Sequence, residues 1–265
     1  MLTVNDICML MEDFAPLSYQ EDYDNAGLIL GKRDAVLKGI LICLDVTESV
    51  IDEAISLGYN MILSHHPLIF KGVKSITGKS YVEQCLVKAI KNDISIYAGH
   101  TNVDSVRNGV NGRMAMKLGM QNCRILVPGS LESTVGQEYG LGMIGDLPVS
   151  ESETDFLYRV KTTFRCKYLR HSVFTGKLVK RVAVCGGAGS EFLAKAQAAD
   201  ADVFLTGEAH YHEFFTQGQN IMLIDAGHYE TEEFTKEIFF DLISNKFPTF
   251  ALRISMCETN PVYYL

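Results

Sequence analysis

The sequence contains no C-x-x-C pair, and its seven cysteines (Cys8, Cys43, Cys85, Cys123, Cys166, Cys185, Cys257) are odd in number and widely spaced. That removes the paired-thiol motifs from consideration and leaves reduced thiols as the reading. Cys43 and Cys185 sit inside apolar, strand-like runs, where a cysteine behaves as a small hydrophobe. No apolar run approaches the roughly 20 residues of a membrane span, and the opening MLTVNDICMLMEDFAP lacks a basic n-region. No membrane partner is expected, and the cytoplasm is the expected location. Dense Lys/Arg runs are missing as well; the scattered basic residues between Lys161 and Arg181 read as solvated surface. With 24 basic against 32 acidic residues the net charge is −8, which repels a phosphate backbone and disfavours nucleic acid as a partner. A phosphate-binding loop is also lacking. Gly186-Gly187-Ala188-Gly189-Ser190 has neither the lysine of a P-loop nor the full dinucleotide spacing, and reads as a tight turn. Gly78-Lys79-Ser80 lacks the first P-loop glycine.

What is present is the composition of an ordinary globular protein, 265 residues long, with room for two modest domains or two similar lobes. Short apolar runs alternate with amphipathic stretches. Ile40 to Leu44 and Asn60 to Leu63 read as strands around a helix from Thr47 to Leu57, and a helix from Tyr81 to Lys91 leads into a strand from Ile94 to Ala98. The second half repeats the plan: strand Arg181 to Cys185, helix Ser190 to Ala199, strands Val203 to Thr206 and Ile221 to Asp225, helix Thr231 to Ser244. Such alternation predicts an α/β fold of two similar lobes with mainly parallel sheets, 1–126 and 127–265. A glycine-punctuated junction over about 127–177 reads as antiparallel hairpins with a helix near Ser152 to Thr163. One local match ties the halves together. Ala98-Gly99-His100 is followed four positions on by Asp104, and Ala226-Gly227-His228 is followed four positions on by Glu232.

The chemistry-bearing residues gather where strands end, the edge at which open α/β sheets bind ligands. His65-His66-Pro67 follows Met61-Ile62-Leu63; Asp104 and His228 follow the other two strands. Neighbouring residues of a regular strand face opposite ways, so one ion per histidine is the expectation unless the backbone turns. His228 and Glu232 are spaced i, i+4 and share a face if the chain is helical from Tyr229, which lets the carboxylate bridge two cations. Imidazoles and carboxylates without thiolate suit zinc, iron(II) or manganese, and suit calcium poorly. The site is expected between the lobes, at the strand carboxyl ends. His100 is open between ligand, orienting group, proton shuttle and structural residue. Of Glu208, His210 and His212 in GEAHYHEFF, one is expected to orient a ligand or meet substrate.

SHHP (Ser64 to Pro67), GHTNVD (Gly99 to Asp104), TGEAHYHE (Thr206 to Glu213) and GHYETE (Gly227 to Glu232), in that order, resemble the motifs of the NIF-three-like dinuclear metal-centre family, whose bacterial members are called GTP cyclohydrolase type 2 homologues. Asp24-Asn25-Ala26-Gly27-Leu28 resembles the family's opening motif, with Tyr23 where tryptophan is usual. The resemblance spans nearly the whole chain and implies the short form, without the domain that longer members insert between the lobes. It implies two divalent metal ions held by His65, His66, Asp104, His228 and Glu232, and a toroidal homohexamer. A two-metal site promotes hydrolysis by activating water and clamping attacking and leaving oxygens. Opening the purine ring of GTP, with His100 or Glu208 moving protons, is the implied reaction. A metal-dependent phosphoesterase acting on nucleotides and a non-enzymatic metal-binding ring scaffold are the competing readings.

Overall fold

The computed structural model describes residues 1–129, 138–216, 218 and 220–265. In chain order the first elements are α1 (Val4–Phe14), β1 (Gly27–Leu30), β2 (Ile40–Cys43), α2 (Glu48–Leu57), β3 (Met61–Ser64), α3 (Tyr81–Lys91), β4 (Ser95–Ala98) and α4 (Thr101–Ser105). Then come α5 (Val110–Lys117), β5 (Gln121–Pro128), β6 (Gly140–Ser152), α6 (Glu153–Thr163), β7 (Arg170–His171), β8 (Leu178–Cys185) and α7 (Leu193–Ala198). β9 (Val203–Thr206), β10 (Met222–Asp225), α8 (His228–Glu232), α9 (Thr235–Lys246) and β11 (Leu252–Ile254) complete the chain. Two compact units result, one from Met1–Val103 with Phe234–Tyr263, the other from Asp104–Glu233 with Tyr264–Leu265.

This division differs from the expected 1–126 and 127–265. The reason is β11, which pairs in parallel with β2 through Leu252↔Ile40 and Ile254↔Ile42, so the end of the chain returns to the first sheet. Ser255 donates its backbone N–H to Ile42 O, and the Glu53 carboxylate accepts from Ser255 Oγ and Met256 N.

The first unit holds a sheet of order β1-β4-β3-β2-β11. Every residue of β2, β3 and β4 is buried, as parallel strands covered on both faces require. Cys43, Ser64 and Ala98 stand level in register, so the three strands end on one line. Thr47 caps α2 and Ser80 caps α3, each hydroxyl accepting a backbone N–H of the first turn. The covering core joins Leu41, Val50, Ile51, Ala54, Ile62, Cys85 and Ile96.

The second unit holds a sheet of order β5-β6-β8-β9-β10-β7. Its β8, β9 and β10 run parallel and end level at Cys185, Thr206 and Asp225. β5-β6, β6-β8 and β10-β7 are antiparallel, so the expectation of a mainly parallel sheet is corrected here to a mixed one. The expected hairpin is β5-β6, with α6 after it, capped by Ser152; residues 130–137 of the expected junction lie outside the described residues. Its core joins Ile144, Ala183, Cys185, Ala196, Phe204 and Leu223.

The two sheets share one plan. β1-β4-β3-β2 in the first matches β7-β10-β9-β8 in the second: three parallel strands in sequence order, with an antiparallel strand alongside the third. The internal repeat inferred from the two Ala-Gly-His segments is therefore a repeat of topology, with β4 and β10 as its matching members.

Candidate metal centre

In the first unit the backbone leaves the strand at Ser64, where its hydroxyl donates to His66 O at 2.8 Å. The chain bends over His65 and His66, and their rings lie with centroids 4.9 Å apart instead of on opposite faces. Strand alternation therefore does not set the directions of these two rings. His100, two residues beyond the end of β4 at Ala98, joins them, its ring centroid 5.3 Å from that of His65 and 5.5 Å from that of His66. One ring nitrogen from each of the three histidines lies within 4.8 Å of the others, a set that can hold a metal ion.

Each ring is held by an acceptor. His65 Nδ1 lies 2.8 Å from Gly99 O, His66 Nδ1 2.7 Å from Asp45 Oδ1, and His100 Nδ1 2.7 Å from Asp24 Oδ1. Carbonyl and carboxylate oxygens only accept, so Nδ1 carries the proton in each ring and the lone pair of a neutral imidazole sits on Nε2. This is how metal-ligating histidines are normally prepared, with tautomer and ring orientation set by the outer hydrogen bond. Burial disfavours charge on Asp24, yet the His100 hydrogen bond and charge, helped by Thr101 and the Asn25 N–H, hold its carboxyl down at about 2. Asp45 follows the same logic. Burial raises its pKa, but His66 and the Thr259 hydroxyl outweigh burial and leave it lowered.

In the second unit α8 begins at His228, three residues before the expected helix start, and the chain breaks between α8 and α9 at Glu233 and Phe234. The i, i+4 spacing then works as anticipated: His228 Nε2 is 3.1 Å from Glu232 Oε2. On its other side His228 Nδ1 lies 3.2 Å from Glu208 Oε2. An imidazole with a carboxylate oxygen at each nitrogen needs a positive charge at one of them, from a second ring proton or from a metal ion. Glu232 is buried, and its carboxylate also comes within 4.8 Å of that of Asp104, which α4 carries. Glu232 thus stands between a histidine and a second acid, as a bridging carboxylate must.

Gly187 makes room for this pair. Its φ is +59°, and a Cβ there would stand 2.2 Å from Glu232 Oε1 and 3.4 Å from His228 Cε1. The glycine-rich turn around it spends its N–H groups internally. Gly186 N donates to Asn111 Oδ1, Gly187 N to Thr231 Oγ1 and Gly189 N to Thr206 Oγ1. It is a tight turn, as its sequence suggests, and not an anion cradle. Burial, then the negative charges of Asp104 and Glu232, push the Cys185 thiol up, and burial pushes Cys43 up; among the described residues no cysteine stands in a group of side chains that could hold an ion.

His210 and His212 do not join His228. His210 caps the single turn Tyr211–Phe214, its N–H donating to Glu213, and His212 stacks on Phe215 with centroids 6.2 Å apart. Of the three candidates in that segment, Glu208 alone reaches His228. Asp45 escaped the sequence reading, although it follows the end of β2 as His66 follows β3, and the strand-end rule applied to every strand would have found it. Asp24 appears there only as part of a motif.

A match to the Duf34/NIF3 (NGG1p interacting factor 3) family covers residues 2–261. The chain belongs to that family. A relative from Clostridium acetobutylicum named GTP cyclohydrolase 1 type 2 homolog is 38% identical over 232 residues, covering 87% of this chain and 85% of its own. Among solved structures, Staphylococcus aureus protein SA1388 superposes with a TM-score of 0.90 at 28% identity, over 100% of this chain and 99% of its own. A Bacillus cereus protein related to NIF3 gives 0.89 at 25% identity, over 100% and 99%. The Duf34/NIF3 fold is therefore shared from end to end. No helix among the described residues is long and apolar enough to cross a membrane.

Proposed function

We propose that this Duf34/NIF3 protein is a metal-dependent hydrolase whose two divalent ions are held by His65, His66, Asp104, His228 and Glu232. The observation that carries the reading is that His65, His66 and His228 each give Nδ1 to an acceptor, which directs Nε2 to an ion. Neutral imidazoles with carboxylates fit zinc, iron(II) or manganese. Bound ions would supply Lewis acidity and a more acidic water.

The remaining work falls to the chain's own side chains. His100 is held by buried Asp24 with its Nδ1–H fixed, so Nε2 can take up and return a proton within the histidine cluster. Glu208 positions His228 through its Nδ1 and is the other candidate for moving a proton. The substrate class follows the relatives' name: hydrolytic opening of the purine ring of GTP, by a toroidal homohexamer in the cytoplasm. A phosphoesterase acting on nucleotides would differ by releasing phosphate with the ring intact.

A second reading has its own support. His65, His66 and His100 can hold one ion within the first unit alone, which would make His100 a ligand instead of a proton carrier. Metal content on protein purified without added metal or chelator separates the two. About two equivalents per chain, reduced in both His66→Ala and Glu232→Ala with the fold intact, supports the dinuclear site. About one equivalent, lost in His100→Ala and kept in Glu232→Ala, supports the three-histidine site. No metal even after reconstitution defeats both and favours a scaffold. Light scattering tests the hexamer.

A further inference from the structure

The segment after the two histidines, residues 67–80, is not a featureless connection between β3 and α3. Asn25 Nδ2 donates to Ile69 O at 2.6 Å, fixing its start. Glu83 fixes its end by accepting from Thr77 N and Oγ1 and from Lys79 N. Between these anchors lies a cavity of about 470 Å³, lined among others by Phe70, Lys71, Val73, Lys74 and Tyr81. That volume suits a small organic ligand.

Two kinds of surface meet in it. Phe70, Val73 and Tyr81 leave 44%, 37% and 61% of their area exposed, a concentration of apolar surface that a flat ring would cover. Lys71 and Lys74 make no ion pair with any described residue, and the one acid in the lining, Glu83, has its carboxylate spent on the segment's own backbone. On a chain of net charge −8 this is a local excess of positive charge beside aromatic surface. The cavity also adjoins the chemistry. Pro67 in its wall follows His66 directly, and the Phe70 ring centroid is 6.0 Å from that of His100, edge to face.

We propose that this cavity is the substrate subsite, taking a nucleoside triphosphate with its base on Phe70 and Tyr81 and its phosphates on Lys71 and Lys74. The assignment rests on the hydrolase reading for its purpose and on the cavity for its ligand. Lysine ammonium groups bind phosphate as point charges without fixed geometry, so the subsite recognises charge and leaves selection among bases to the ring contacts.

The test is calorimetric titration of GTP, guanosine, inorganic tripolyphosphate and a single-stranded oligonucleotide into the metal-loaded full chain, with metal content measured on each variant. Both lysines are exposed, so the Lys71→Ala/Lys74→Ala double variant keeps its fold. Expected are GTP binding stronger than either fragment, a loss of at least about tenfold in the double variant, a similar loss in Phe70→Ala, and unchanged metal content. Unchanged GTP affinity in the double variant, no GTP binding to metal-loaded protein, or tighter binding of a single-stranded oligonucleotide than of GTP would each overturn the subsite. Metal loss in the ligand variants is scored separately, so failure here leaves the metal centre standing.

Discussion

His66 gives its Nδ1 proton to Asp45 at 2.7 Å, and the other oxygen of Asp45 accepts the hydroxyl of Thr259 at 2.8 Å. A proposed ligand is thus oriented by an acid 21 positions upstream, itself held by a residue 214 positions from it in sequence. Replacing Asp45 with alanine removes the orientation but not the ligand. Metal affinity should fall by about 10- to 100-fold in Asp45→Ala, read by chelator competition, while His66→Ala abolishes that ion's binding. Equal affinity in Asp45→Ala and the parent would reject the orienting role.

Asp24 contributes stability through the same kind of pair, and its sign can be worked out. Its carboxyl is held at about 2 against an ordinary 3.8, so the folded state favours the ionised form. The contribution is fully present above about pH 4 and is lost as the pH falls through about 2. Urea denaturation of metal-free protein should show Asp24→Asn less stable than the parent by on the order of 1–2 kcal/mol at pH 5, with the difference shrinking toward pH 2. A difference that stays constant over that window would show that Asp24 does not act through its charge.

Gly187→Ala separates close approach from backbone strain. Gly119 also has positive φ, +73°, but a Cβ there would meet nothing within 4 Å, whereas Gly187 faces Glu232. Both substitutions should cost about 1 kcal/mol of stability for the left-handed backbone. Gly187→Ala alone should also displace the Glu232 carboxylate and lower metal content. Matching metal content in the two variants would contradict the close packing described here.

Glu53 ties the returning chain end to the first sheet through Ser255 and Met256. Burial opposes its ionisation, but these donors together hold its carboxyl below the usual range. Its contribution is therefore present above the ordinary glutamate pKa and lost on acidification through the lowered value. Glu53→Ala should cost about 1–3 kcal/mol at neutral pH and speed amide exchange at Ser255 and Met256, measurable by hydrogen exchange.

The sequence by itself determined the strands β2, β3, β4, β9 and β10, because short buried parallel strands are continuous apolar runs and their ends are marked by His, Gly and acidic residues. It also determined the i, i+4 relation of His228 and Glu232, which depends only on helical pitch. Tertiary structure alone decided the rest. The bend after Ser64 that gathers His65, His66 and His100 has no local signature, since strand alternation predicts rings pointing apart. The pairing of β11 with β2 joins residues some two hundred positions apart, and the mixed sheet of the second unit depends on which edge β6 finds. Asp24 and His100 are 76 positions apart in sequence and 2.7 Å apart in space. Periodicity reports a residue's neighbours within a turn or a strand, whereas hydrogen bonds between strand ends are set by the order in which the sheet assembles its strands.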